Sequence, residues 1–520
     1  LQWRILILAC LLGAEILVTS LWFDGATIYD SGGFAGVLGR WGAWVLRWAV
    51  GFAGLFCTFA YLRHWEPLRT LNVNEPVRTL PLLLHFGVFG AFLTLSRSIY
   101  AGDSSNGLLI VGWCFLAAAV FASLALALIP WIVWRQAKRI TGHLWIFGAA
   151  AAGLACASTP LIRSLWEPAA KSTFWLVRLM LSSVVSDMVV QPERMRLGTK
   201  RFAVIIADEC SGLEGIGLLL IFGALWLILF RDELRFPRAL ILLPIGVAVL
   251  YLGNAVRIAA LVLIGDAGAR DIAVRGFHSQ AGWISFNLVA LGLSIGARRL
   301  SWFSNRPAEA AATVEEHPAA PFLMPFLAIL AAGMLAGAMS GGFEWMYGLR
   351  VIACLAMLWY FRKEYRGVDF RCTWMGPLVG VVVFALWLPG SGPAKAMPGA
   401  LTTAAPVWAW TWIVLRTIGG SVTVPIAEEL AFRGFGLRRL MSADFEAVSW
   451  QAFSWTSLLI SSLLFGVMHG DRWVAGTIAG VLYALAVRWR GRLGDAIVAH
   501  GVTNGLLAVW ALGFGRWDLW

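Results

Sequence analysis

Apolar stretches of about twenty residues recur along the whole chain, and that feature alone leaves few folds open. As a helix, a run of that length crosses about 30 Å of hydrocarbon, where every backbone N–H and C=O has to be satisfied within the segment. Runs near 5–22, 42–62, 79–96, 107–134, 144–162, 212–230, 239–256 and 281–297 give eight candidate helices, and a second apolar block runs from about Pro321 to the end of the 520 residues. The expected fold is all-α: a polytopic membrane protein of two helical bundles with about 14 to 16 transmembrane segments. Charged residues make up 13% of the chain, too few to solubilise so much apolar surface.

The net charge of +12 does not point to nucleic acid, because no Lys/Arg block with interleaved aromatics stands outside the apolar runs. An excess of cytoplasmic Lys/Arg accounts for it. With the N-terminus in the cytoplasm, Arg63, Arg69 and Arg78, then Arg135, Lys138 and Arg139, then Arg231, Arg235 and Arg238, then Arg298 and Arg299 fall on one side. The segment Arg163 to Arg201, with seven Lys/Arg, is the exception and lies outside. Interfacial burial explains the 29 Trp. The run Ile5 to Thr19 lacks a small-x-small cleavage site and reads as the first membrane helix rather than a signal peptide. The chain opens on Leu1, so a start upstream or at a different codon is expected.

Ser301 to Ala320 (SWFSNRPAEAAATVEEHPAA) interrupts the apolar pattern with two Pro and three Glu, which is linker chemistry. The expected organisation is a membrane domain over 1–300, a linker over 301–320 and a second membrane domain over 321–520. No repeat of 20–50 residues is visible.

Of seven cysteines, six sit in apolar or interfacial text and none forms a CxxC pair. Cys210 differs. It lies in Ala207-Asp208-Glu209-Cys210-Ser211-Gly212-Leu213-Glu214, immediately before an apolar helix, on the expected extracytoplasmic side. A helix N-terminus favours thiolate, while the neighbouring acids oppose it, so a cationic partner is needed. Arg257 in Asn254-Ala255-Val256-Arg257 and His278 in Phe277-His278-Ser279 stand at later helix ends on the same side. A Cys nucleophile, a His acid/base and an Arg oxyanion donor make an acyl-transfer set. Spacing alone equally fits a packed thiol, an interfacial Arg anchor and a solvated His.

The motifs A-x-x-C-S-G-L, N-x-x-R-I and H-x3-G-W-x2-F, in that order, resemble the exosortase/archaeosortase family over roughly residues 1–300. The resemblance implies a Cys-Arg-His protease of the bacterial inner membrane that cuts C-terminal sorting signals, with Cys210, Arg257 and His278 in those roles and Asn254 in support. Glu214 departs from the family pattern, which bears on substrate preference.

In the second block, Glu428-Glu429-Leu430-Ala431-Phe432-Arg433, then Phe465-Gly466-Val467-Met468-His469, then His500-Gly501-Val502-Thr503-Asn504 put polar groups into apolar helices. Glu429 and Arg433 are i and i+4 and share a face, as do His500 and Asn504. Glu428 lies about 100° round from Glu429 and is left free to act on a water. Such residues cost about 2.5–3.5 kcal/mol each at a helix centre on insertion scales, so they read as functional. Zinc bound by Glu, two His and Asn is the nearer rival, but there is no HExxH and Asn is a poor zinc ligand. The expectation is no metal and no cofactor.

This pattern resembles the CPBP family of CAAX-protease-like and bacteriocin-processing membrane proteases over roughly 321–520. The resemblance implies that Glu428 and His469 activate water, that His500 and Asn504 hold the oxyanion, and that Glu429 with Arg433 fixes the helix geometry. The two modules together resemble exosortase/CPBP fusions associated with VPEID-CTERM sorting signals. The expected function is a bifunctional inner-membrane peptidase whose substrates are proteins with a C-terminal sorting signal and membrane anchor, in contact with lipid and not with nucleic acid. An ion- or proton-coupled transporter and a non-catalytic immunity or partner protein stand as alternatives.

Overall fold

The computed structural model describes residues 2–23, 33–71, 79–100, 107–207, 212–305 and 317–520 except 391–393. The chain packs as two compact units, Leu1–Arg163 and Ser164–Trp520. The packing division thus lies away from the compositional break at Ser301–Ala320, and helices from both sides of that break pack within the second unit. Among the described residues, six helices are long and apolar enough to cross a membrane and six shorter apolar helices of 10–17 residues accompany them. Large apolar side chains such as Leu108, Phe115 and Leu154 are more than two-thirds exposed, as a lipid-facing surface requires.

In the first unit, α1 (Gln2–Trp22), α2 (Gly33–Arg69), α3 (Thr79–Tyr100) and α4 (Gly107–Leu128) precede a short amphipathic α5 (Trp131–Thr141). The apolar run expected to continue through 107–134 breaks at Pro130, which lacks an N–H for a continuing helix and sits at the N-cap of α5. Leu8, Leu124, Leu128, Ile129 and Val133 form the core of this unit. Trp48 of α2 donates its indole N–H to Ala149 O at 3.0 Å, which ties α2 to the start of α6 (Leu144–Ser182).

The basic segment after α6 holds three short strands in an otherwise helical chain. Met188–Gln191 (β1), Arg196–Thr199 (β2) and Ala203–Ile205 (β3) form an antiparallel meander with Val189 opposite Gly198 and Leu197 opposite Val204. Its turns explain it. Met195 adopts a left-handed conformation (φ 49°) between β1 and β2, and Thr199 Oγ1 accepts from the backbone N–H groups of Arg201 and Phe202 between β2 and β3. Leu197 and Ile206 then pack with Phe174, Val177, Ile258 and Val262.

Helices α7 (Leu213–Leu229), α8 (Leu242–Asp266) and α9 (His278–Arg299) follow, with a π-helical turn over Ile272–Phe277 leading into α9. The remaining bundle comprises α10 (Ala320–Ala338), α11 (Gly348–Tyr360), α12 (Met375–Trp387), α13 (Pro406–Ile418), α14 (Val424–Glu429), α15 (Trp455–Val467), α16 (Trp473–Arg490) and α17 (Leu493–Phe514). Small residues let these helices approach closely. A Cβ on Gly380 of α12 would lie 2.5 Å from Ala499 O of α17, and one on Gly480 of α16 would lie 3.0 Å from Ser462 Cα of α15. Phe322, Val383, Leu430, Phe465, Tyr483 and Ala499 are buried together at the centre.

Candidate active sites

Helix α14 is bracketed by two π-helical turns, Gly419–Thr423 and Leu430–Gly436. π-Bulges shift backbone register inside a helix and recur at functional sites; here they bracket the two adjacent glutamates. Glu429 is fully buried. Its Oε1 accepts from Arg433 Nη1 at 3.1 Å and from His500 Nδ1 at 3.0 Å, and its Oε2 has no hydrogen-bond partner. Arg433 also donates from Nη2 to Gly480 O at 3.0 Å and lies 4.3 Å over the Phe465 ring. The pair is therefore desolvated, hydrogen-bonded and enclosed by aromatics, the arrangement under which a buried charge pair is tolerated.

Glu428 is only part-buried, and its carboxylate forms no hydrogen bond with any described residue; its charged neighbours are His500, Glu429 and Arg433. The two glutamates thus have different surroundings although they are adjacent in sequence.

The ring of His500 stacks on Tyr483 at 5.1 Å, and Tyr483 donates to Thr503 Oγ1 at 2.8 Å. With Nδ1 directed at an Arg-paired carboxylate, which only accepts, His500 leaves Nε2 for other chemistry. His469, just past the end of α15, uses Nδ1 to donate to Phe465 O at 2.8 Å, which fixes the tautomer and leaves Nε2 as an acceptor. Asn504 donates one amide hydrogen to Gly420 O at 2.8 Å and keeps its second. His469, His500 and Asn504 line one cavity of about 230 Å³ together with Tyr483, Trp387 and Trp520. Ser421, in the first π-turn, has a buried hydroxyl with no hydrogen-bond partner. Among the described residues, no three His, Cys, Asp or Glu side chains converge closely enough to hold a metal ion.

Tyr483, Thr503, Trp387 and Trp520 were not anticipated from sequence. Tyr and Trp in apolar text carry no periodic signal that separates a cavity wall from lipid-facing surface. Tyr483 could have been singled out only as a polar hydroxyl at mid-helix in α16.

In the other set, Cys210 lies outside the described residues. The residues around it are informative. Gly212 adopts φ +82°, and a Cβ there would lie 3.0 Å from the Asn254 amide, so Asn254 of α8 packs against Gly212 at the start of α7. One turn along α8, Arg257 approaches α9: a Cβ on Gly282 would lie 2.9 Å from its Nη1. His278, exposed at the start of α9, is an electrostatic neighbour of Arg257. Helix α8 therefore presents Asn254 to the start of α7 and Arg257 to the start of α9.

Residues 43–295 match the family model for transmembrane exosortase (EpsH), and residues 410–506 match that for type II CAAX prenyl endopeptidase Rce1-like proteins. No curated protein and no solved structure matches the chain. The two family matches and their order are those of an N-terminal exosortase joined to a C-terminal CPBP protease, and with its apolar helices the chain is a multi-pass membrane protein of the sorting and CAAX peptidase type.

Proposed function

We propose that the chain is a bifunctional peptidase of the bacterial inner membrane, with functional modules at 1–300 and 321–520, that processes proteins carrying a C-terminal sorting signal of the VPEID-CTERM/PEP-CTERM type. The observation that carries the reading of the second module is the contrast between its adjacent glutamates. Glu429 is fully buried and holds Arg433 and His500 through one oxygen, while Glu428 is part-exposed and makes no hydrogen bond with any described residue.

On this reading Glu428, with His469 Nε2 as a second acceptor, takes a proton from water as the oxygen attacks the peptide carbonyl. The negative charge that develops on the carbonyl oxygen is met by His500 Nε2–H, when that imidazole is protonated, and by the free amide hydrogen of Asn504. Glu429 and Arg433 act by holding His500, not by touching substrate.

In the first module Cys210 attacks the peptide carbonyl near the substrate's anchor at the extracytoplasmic face. Arg257 bears the oxyanion, and His278 protonates the leaving amine; the acyl-enzyme then passes to water or to an amine acceptor. Asn254, packed against Gly212, supports the segment that carries the thiol.

The test is co-expression with a protein bearing such a C-terminal signal, read by mass. Cys210→Ala should leave the substrate at full length, and Glu428→Gln should leave the released anchor uncut. Normal processing by both variants would overturn the assignment.

A further inference from the structure

A second polar array lies inside the first unit, on helices that carry neither candidate active site. His85 of α3 is completely buried. Its Nε2 is 2.6 Å from Glu15 Oε1 of α1, and its Nδ1 is 3.0 Å from Ser123 Oγ of α4. Glu15 is itself more than nine-tenths buried, and its Oε2 has no hydrogen-bond partner among the described residues. Both α3 and α4 are long and apolar enough to cross a membrane. His85 lies six residues into α3 and Ser123 five residues before the end of α4, which at 1.5 Å per residue is about 8–9 Å from the helix ends. Acids and imidazoles at such depth are rare and functional by default.

The contacts form a Ser-His-acid array in which the serine hydroxyl is turned to its own helix. Ser123 Oγ donates to Val120 O at 3.1 Å, so towards His85 it can only accept, and Nδ1 carries a hydrogen. Nε2 then faces a carboxylate oxygen at 2.6 Å. That contact requires one proton on the line between them, carried as imidazolium or as carboxylic acid.

We propose that Glu15, His85 and Ser123 form a one-proton binding site within the membrane. In the loaded state the proton sits between Nε2 and Oε1, and Ser123 bonds to its own helix. On release one H⁺ passes to water and leaves a carboxylate. The imidazole keeps a single hydrogen, now on Nε2 and donated to Oε1, while the Ser123 hydroxyl turns from Val120 O to donate to Nδ1. Oε2 is the open position at which a proton arrives or departs. The other ionisable groups near the site are few. Arg4 of α1 is buried, with Nη1 donating to Leu128 O; Cys114 of α4 and Arg97 of α3 lie towards the far ends of their helices; and Arg135, Lys138 and Arg139 of α5 are exposed.

The test uses the full chain in liposomes and dicyclohexylcarbodiimide, an apolar reagent that modifies protonated carboxyl groups, with peptide mapping by mass spectrometry. A Glu15 adduct is expected, with a yield that falls as pH rises. Glu15→Gln, whose amide can still donate to Nε2, should elute as a folded protein and give no adduct at this position. Two results would overturn the proposal: no Glu15 adduct at any pH when the detergent-unfolded chain is labelled there, or a yield that does not change with pH.

Discussion

Glu429 and His500 meet through a single carboxylate oxygen, 3.0 Å from His500 Nδ1, and that same oxygen takes the Arg433 guanidinium at 3.1 Å. The acid therefore orients a cation and an imidazole at once, and the imidazole is further fixed by stacking on Tyr483. Its other oxygen is sealed from solvent and has no partner among the described residues. The adjacent glutamate is part-exposed and makes no hydrogen bond with any described residue, which leaves it the better placed of the two to meet a water molecule.

The two glutamates should consequently fail in different ways. Glu428→Gln is expected to keep the thermal midpoint of the detergent-solubilised protein and to lose about 10²- to 10⁴-fold in cleavage rate, the range for a missing general base. Glu429→Ala strands the buried Arg433 charge, and breaking such a pair costs about 3–5 kcal/mol. Its signature is a lowered thermal midpoint and poor recovery of folded protein. Equal losses of folding in the two variants would contradict the division of labour.

Much of this was legible in the sequence, for identifiable reasons. Glu429 and Arg433 are four apart, and a helical period alone places them on one face; the same holds for His500 and Asn504. Within the first 300 residues the apolar runs mark the helices too, except at Pro130, where one continuous run becomes two helices, and beyond 162, where α6 continues to Ser182; the block after Pro321 was not divided. What was hidden depends on register and on distance along the chain. The π-turns around α14 leave no mark in hydropathy, and the sheet at Met188–Ile205 is too short for its alternation to stand out. His85 and Glu15 are 70 residues apart, and each alone reads as an isolated polar residue in an apolar run.

Tyr483 separates a hydrogen-bonding role from a packing role. Tyr483→Phe removes only the donor to Thr503, so a cost of about 0.5–1.5 kcal/mol and a cleavage rate within a few-fold of the parent are expected. Tyr483→Ala also removes the ring stacked on His500 and leaves a cavity, at about 3–5 kcal/mol, and cleavage should fall with it. Thermal midpoints and single-turnover rates of the two variants test this.

Gly276 connects the turn before His278 to the second bundle. A Cβ there would lie 2.2 Å from Ser340 O and 2.6 Å from Gly337 O, both backbone atoms with little room to give. Gly276→Ala should push the Ile272–Phe277 turn off the end of α10, at about 1–3 kcal/mol for overpacking, and should reduce processing at the thiol site more than at the glutamate site. Gly292→Ala, with open space around the new methyl, is the control and should change neither.

The last turn of the chain forms one wall of the glutamate-site cavity, because Leu519 and Trp520 line it. That turn is held by Asp518, which takes two hydrogen bonds from Arg516 at 2.8 Å and lies 3.9 Å from Arg472. The Arg516 guanidinium holds the Asp518 carboxyl at about 2, below the ordinary carboxylate value. A lowered value in the folded state means that the pairing contributes fully above about pH 4 and is lost as pH falls towards 2. Hydrogen exchange of the amides of Trp517, Leu519 and Trp520, corrected for intrinsic rates, should therefore keep the same protection from about pH 8 to about pH 5, and lose it only in strong acid. Asp518→Asn should raise that exchange at neutral pH by about two- to five-fold, the scale of an ion pair whose arginines are part-exposed, and remove the acid transition. If the variant retains the parent's protection, the ion pair does not hold the wall, and backbone contacts such as Trp517 N–H to Lys395 O are what keep it in position.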